Sequence, residues 1–188
     1  MKSPEEKNAG PTRNTAGETQ PVKSLVVVFS CHHNNTEKIA NVIANVLGAP
    51  VKTPREIIPE ELAEYDLVGF GSGIYGAKNH GSILDLAGRL PDAHGRNAFI
   101  FSTFGAPEGL YQGDRLREFI RDNHSALRET LQARGYVVMD EFSCAGFNTN
   151  SFLRFFGGLN KGRPDADDLR LAEAFAENLK QRTIIGKN

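Results

Sequence analysis

Leu25-Val26-Val27-Val28-Phe29 runs directly into Ser30-Cys31-His32-His33-Asn34-Asn35-Thr36. The first five residues are apolar without interruption and rich in valine, the pattern of a strand buried on both faces. The next seven are polar. Beyond them Ile39, Val42, Ile43, Val46 and Leu47 recur at helical spacing, with Glu37, Lys38, Asn41 and Asn45 on the opposite side. Asn34 followed three residues later by Glu37 fits a capping box, and Gly48 fits a helix exit. A buried strand, a polar turn and an amphipathic helix form the opening of a βα unit.

The same alternation continues downstream. A short strand is expected near Ala49 to Lys52 and a short helix over Pro59 to Glu64. Leu67-Val68-Gly69-Phe70 reads as a second buried strand, followed by a glycine-rich loop and a helix near Ser82 to Leu90. Ala98-Phe99-Ile100-Phe101 is the next strand. Leu116, Phe119, Ile120, Leu127 and Leu131 mark one long helix that stops at Gly135, and Tyr136-Val137-Val138-Met139 opens a further strand. Cys144 to Arg163 is irregular and rich in Gly and Phe, and Pro164-Asp165 starts a last helix carrying Leu169, Ala172, Phe175, Ala176 and Leu179. Parallel strands require such crossovers, which cover both faces of an open sheet. The expected fold class is α/β, a three-layer, doubly wound, five-stranded parallel sheet. In such sheets ligands bind beyond the carboxyl ends of the strands, which directs attention to loops 30–36, 71–81 and 102–114.

Composition narrows the class. Of 188 residues, 39% are hydrophobic, and 22 basic side chains nearly balance 23 acidic ones, so no global field favours nucleic acid. Cys31 and Cys144 are too few for a disulfide framework. No apolar run approaches the ~20 residues of a membrane span, and the start lacks a secretory apolar stretch. A cytoplasmic protein without stable membrane insertion is expected. Residues 1–22 hold Pro4, Pro11, Pro21, Gly10 and Gly17 with no hydrophobic period, so they read as a disordered tail before a single domain at 23–188.

The first loop joins a buried strand to a helix N-terminus, where free backbone N–H groups and the helix dipole favour an anion. A loop that only caps its helix needs one polar residue, not seven. Competing phosphate sites fail on charge and spacing. Gly-x4-Gly-Lys-Ser/Thr is absent, Glu37 stands where a Cys-x5-Arg phosphatase needs Arg, and Phe29-Ser30 supplies no carboxylate for Mg²⁺. Gly71-x-Gly73-x-x-Gly76 is formally a dinucleotide fingerprint, but it does not follow the first strand or open a helix.

Ser30-x-x-x-Asn34-Asn35-Thr36 after the first strand resembles the phosphate loop of the flavodoxin family, usually Ser/Thr-x-Thr-Gly-x-Thr, with His32 and Asn34 near the hydroxyl and glycine positions. The resemblance runs from about Leu25 to Leu179. It implies a flavodoxin-like fold with strand order 2-1-3-4-5 and FMN as cofactor. Ser30, His32, Asn34, Asn35 and Thr36 would then hold phosphate. Ser72, Gly73, Ile74, Tyr75 and Gly76 would pass along the isoalloxazine with Tyr75 stacked on it, and Thr103, Phe104 and Gly105 would line its other side. The Phe-rich segment before the last helix is similar to that of flavodoxin-like protoporphyrinogen oxidases. It reads either as a cover for the sheet edge and the base of the last helix or as a lid or partner surface beside the flavin.

Cys31 has no second cysteine nearby, and adjacent His32-His33 diverge with no further ligand cluster, so no metal is expected. No acid, base or nucleophile stands out as catalytic. The expected function is therefore an FMN-binding electron carrier, exchanging electrons with a redox protein or a small-molecule donor or acceptor. An NAD(P)H- or quinone-linked flavin reductase or oxidase is the alternative, and a flavin-free anion-binding domain the third reading.

Overall fold

The computed structural model describes residues 21–186. The expected tail therefore lies outside the described residues except for Pro21 and Val22, of which Val22 packs against the core. Five parallel strands form the sheet: β1 (Ser24–Phe29), β2 (Val51–Lys52), β3 (Leu67–Tyr75), β5 (Asn97–Phe104) and β6 (Val137–Ala145). A two-residue strand, β4 (Lys78–Asn79), pairs antiparallel with the end of β3. The order is β2-β1-β3-β5-β6, so the parallel strands alone follow the expected 2-1-3-4-5.

Two helical layers explain why the strands are apolar on both faces. On β1, Leu25 and Val27 enter one cluster while Val26 and Val28 enter the other. Helices α1 (Asn35–Leu47) and α5 (Ala166–Ile185) cover the second face with Ile39, Ile43, Ala172, Ala176 and Leu179. Helices α2 (Gly81–Arg89) and α4 (Ser125–Ala133) cover the first with Ile83, Leu86, Leu127 and Leu131. This is the doubly wound, three-layer arrangement.

The structure departs from the sequence reading at three places that shape the site. β3 does not stop at Phe70 but continues through Gly71 to Tyr75, then turns at Gly76 (φ 56°) and Ala77 (φ 61°) into β4. Two successive positive φ values suit a tight hairpin. The glycines of β3 are demanded by β5: a Cβ on Gly69 would lie 2.2 Å from Phe99 Cζ, and one on Gly71 2.1 Å from Phe101 Cζ. Second, the expected long helix is two helices, α3 (Asp114–Asn123) and α4, divided at His124, whose ring is wholly buried. Third, Asn34 adopts left-handed backbone (φ 52°) and makes no side-chain cap, so the capping box does not form.

Candidate functional site

The carboxyl ends of β1, β3, β5 and β6 meet at a cleft. From the first loop it takes Ser30, His32, Asn35 and Thr36; from β3 Gly73, Ile74 and Tyr75; from the end of β5 Thr103 and Phe104, with Gly105 just beyond it. These are expected site residues, now in one place. Asn34 is exposed and does not line the cleft, and Gly76 sits at the hairpin turn outside it. Ser72 points to the opposite face of the sheet. Its hydroxyl donates to the Gly73 carbonyl (2.8 Å) and accepts from the His80 N–H (2.9 Å), fastening the hairpin.

Left-handed His33 and Asn34 turn the chain so that α1 begins at the cleft. The first N–H groups of a helix have no carbonyl before them, and here Asn35 and Thr36 carry them. The hydroxyls of Thr36 and Thr103 lie 2.8 Å apart, both residues buried. Asn35 is also buried. Its Nδ2 donates to the Phe147 carbonyl (2.8 Å), while its Oδ1 has no protein partner among the described residues. That is an acceptor at the cleft wall suited to a ligand hydroxyl.

Tyr75 lies across the cleft, which holds about 90 Å³. A Cβ on Gly73 would be 2.9 Å from the Tyr75 ring, so only glycine lets the ring lie there. The phenol oxygen is 3.0 Å from Cys31 Sγ, and that sulfur is 3.0 Å from His32 Nδ1. Burial, with the Cys31 hydrogen bond second, pushes the Tyr75 phenol well above its ordinary value. His80 meets the Tyr75 ring edge-on and stacks on Phe29 with centroids 3.8 Å apart. Phe104 and Tyr111 pack on each other and on Phe119, so both serve the core of this loop.

A fourth wall comes from Gly146, Phe147, Asn148 and Asn150, in the loop after β6; the sequence reading allows a lid in this segment but assigns no site residue to it. Asn148 Nδ2 donates to the Gly105 carbonyl (3.0 Å), and His33 Nε2 is 2.7 Å from Thr149 Oγ1. Arg163 ties the base of this segment to Glu108, Asp165 and Asp168. The rule that ligands sit beyond strand carboxyl ends applies to β6 as well, and following that strand to Ala145 would have pointed here.

Behind the cleft, on the opposite sheet face, Ser143 Oγ lies 2.7 Å from Ser102 Oγ, which is 2.8 Å from His124 Nε2. His124 Nδ1 is 3.1 Å from Glu141 Oε2, and Arg128 closes on the same carboxylate. Burial raises the Glu141 carboxyl, but the Arg128 and His124 hydrogen bonds outweigh it and hold it below its usual value. This chain fixes the division between α3 and α4.

Comparison with known proteins bears on the fold. No family model matches the sequence. An uncharacterized protein of Methanocaldococcus jannaschii is 38% identical over 159 residues, which span 84% of this chain and 98% of that protein. The chain belongs to the family of that archaeal protein. Flavodoxin 2 from Bacillus cereus superposes with a TM-score of 0.60 at 19% identity, covering 88% of this chain and 99% of the flavodoxin. A flavodoxin from the domain Archaea gives 0.57 at 16%, covering 86% and 98%. The rubredoxin oxygen:oxidoreductase of Desulfovibrio gigas gives 0.60 at 13%, with this chain matching 37% of its length. The family is thus built on a flavodoxin-like fold, as the sequence resemblance implied.

Proposed function

We propose that the cleft binds FMN and that the protein passes electrons between a donor and an acceptor. The observation that carries this reading is the Thr36–Thr103 hydroxyl pair at the N-terminus of α1, placed where the strand ends of a flavodoxin-like sheet converge. Each hydroxyl has one proton. One is used inside the pair, which leaves a single O–H for an anion beside the first N–H groups of α1. The orphan Oδ1 of Asn35 suits a hydroxyl of the ribityl chain. Gly73, Gly105 and Tyr75 line the same cleft and would hold the flat ring.

When bound, FMN supplies the electron chemistry; the protein binds, orients and excludes water. Tyr75, Cys31 and His32 form a protic cluster at the mouth of the cleft. That cluster favours a second reading, a flavin reductase or oxidase in which these groups hold a proton near the reacting ring. The test is direct. The purified full chain should be yellow, or titrate with FMN to a single saturable site with altered flavin fluorescence. A protein that binds neither FMN nor riboflavin overturns the proposal. Turnover of NAD(P)H or a quinol by the loaded protein would select the second reading over a carrier.

A further inference from the structure

The segment after β6 has two ends with different chemistry. Its foot is braced: Asn148 and Leu159 exchange backbone hydrogen bonds of 2.9 and 2.8 Å, and Gly158 N–H closes on the Leu153 carbonyl at 2.9 Å. A Cβ on Gly158 would come 2.5 Å from the Phe147 ring, so the return strand is pressed against the cleft wall. Its tip is a 3₁₀ turn, Ser151–Phe156, and there Phe152, Phe155 and Phe156 are 64%, 73% and 81% exposed. Three phenylalanines displayed together from a braced base are not needed by the core, and exposed apolar patches of this kind mark interaction sites.

Charge identifies the partner. From Gly146 to Pro164 there is no carboxylate, while Arg154, Lys161 and Arg163 are present in a chain whose overall charge is -1. Arg163 is spent on Glu108, Asp165 and Asp168 at the foot. Arg154 lies over the Phe155 ring at 4.8 Å, and Lys161 is exposed. The tip therefore offers rings and one cation, Lys161 adds a second exposed cation at the foot, and the segment has no carboxylate to repel an anionic surface. We propose that this tip docks on an anionic lipid bilayer. The three rings enter the headgroup–acyl boundary, Arg154 meets lipid phosphates, and Lys161 at the foot adds attraction to the anionic surface across the intervening solvent. No described helix is long and apolar enough to cross a membrane, so the contact is peripheral. Because Phe147, Asn148 and Asn150 of the same segment line the cleft, docking sets the cleft mouth beside the bilayer whatever ligand the cleft takes.

Co-sedimentation of the full chain with vesicles tests this. Vesicles of phosphatidylglycerol and phosphatidylcholine should retain the protein at low salt, with less retained by phosphatidylcholine alone. Phe152→Ser/Phe155→Ser/Phe156→Ser should weaken binding to both by at least tenfold, and Phe156→Ser alone should weaken it partly. Arg154→Ala/Lys161→Ala should remove up to about 25-fold of the preference for anionic vesicles, since each cation near such a surface contributes about fivefold. Thermal midpoints near wild type establish that the variants are folded. Absence of binding to either vesicle, or equal binding by the triple variant, overturns the proposal. So does a concentration-dependent dimer that the triple variant abolishes, which would assign the tip to a second copy of the chain.

Discussion

Replacing Thr36 and Thr103 by valine, singly and together, separates the two tasks of their hydroxyl pair. The oxygens are 2.8 Å apart, in residues only 2% and 5% exposed. Valine keeps the shape and deletes the hydroxyl. Either single variant strands the other hydroxyl in a buried place, which should cost about 1–3 kcal/mol of stability without ligand. The double variant removes both partners and should recover most of that loss. Affinity should follow a different pattern. Thr36 sits in the first turn of α1, so under the proposed function its hydroxyl is the one that would face phosphate; a charge-assisted hydrogen bond contributes about 1.5–3 kcal/mol. Thr36→Val and the double variant should lose roughly tenfold to a hundredfold in FMN affinity, because 1.4 kcal/mol is a factor of ten. Thr103→Val should stay within a few-fold, since Thr36 keeps its proton to donate. Riboflavin, which lacks phosphate, should bind all four proteins alike. Urea unfolding and fluorescence titration with the two flavins supply both readouts. Equal weakening of FMN and riboflavin would refute the phosphate assignment, and a double variant as unstable as the sum of the singles would refute the pairing.

Gly71→Ala should destabilise the fold by about 3 kcal/mol or more, because its Cβ would meet the Phe101 ring. Gly48→Ala, with open space but φ 63°, should cost only about 1–2 kcal/mol in thermal or urea unfolding. Tyr75 holds its proton more tightly folded than unfolded, so its contribution is fully present below the ordinary phenol value of about 10 and is lost as pH rises above it. Urea midpoints between pH 8 and 11 should therefore fall less steeply for Tyr75→Phe than for wild type; identical slopes would contradict the burial argument. Part of the slope should remain, because burial also raises Tyr136. Arg163→Gln leaves the Asp168 carboxylate, 7% exposed, without its cation and should cost about 2–3 kcal/mol; an unchanged midpoint would show that this cluster does not hold the segment.

The doubly buried strand β1 was legible because its cause is local to the sequence: two helical layers leave no face for polar residues, and Leu25 to Phe29 has none. The spacing of α1 was legible for the same reason. The break at His124 was not. No residue near it forbids helix; the ring is drawn inward by Ser102 and Glu141, which lie in β5 and β6 and are brought there only by the sheet. The end of β3 was misread because its glycines carry two meanings. In isolation Gly71-Ser72-Gly73 signals a loop, but beside Phe99 and Phe101 glycine is what a continuous strand requires.

That single misreading also decided which site residues could be assigned. In a loop, Ser72 and Gly73 are equally free to face a ligand; in a strand, period two sends them to opposite sides. Gly73 pairs in register with Thr103 and Ser72 with Ser102. Gly73 and Thr103 therefore share the α1 face, where Thr103 finds Thr36. Ser72 and Ser102 share the other face, where one holds the β3–β4 hairpin and the other meets His124. Strand parity thus separates hydroxyls that composition alone treats as equivalent. Only those on the α1 side reach the cleft, and a substitution at Ser102 should be felt as lost packing at the α3–α4 division rather than as lost phosphate contact.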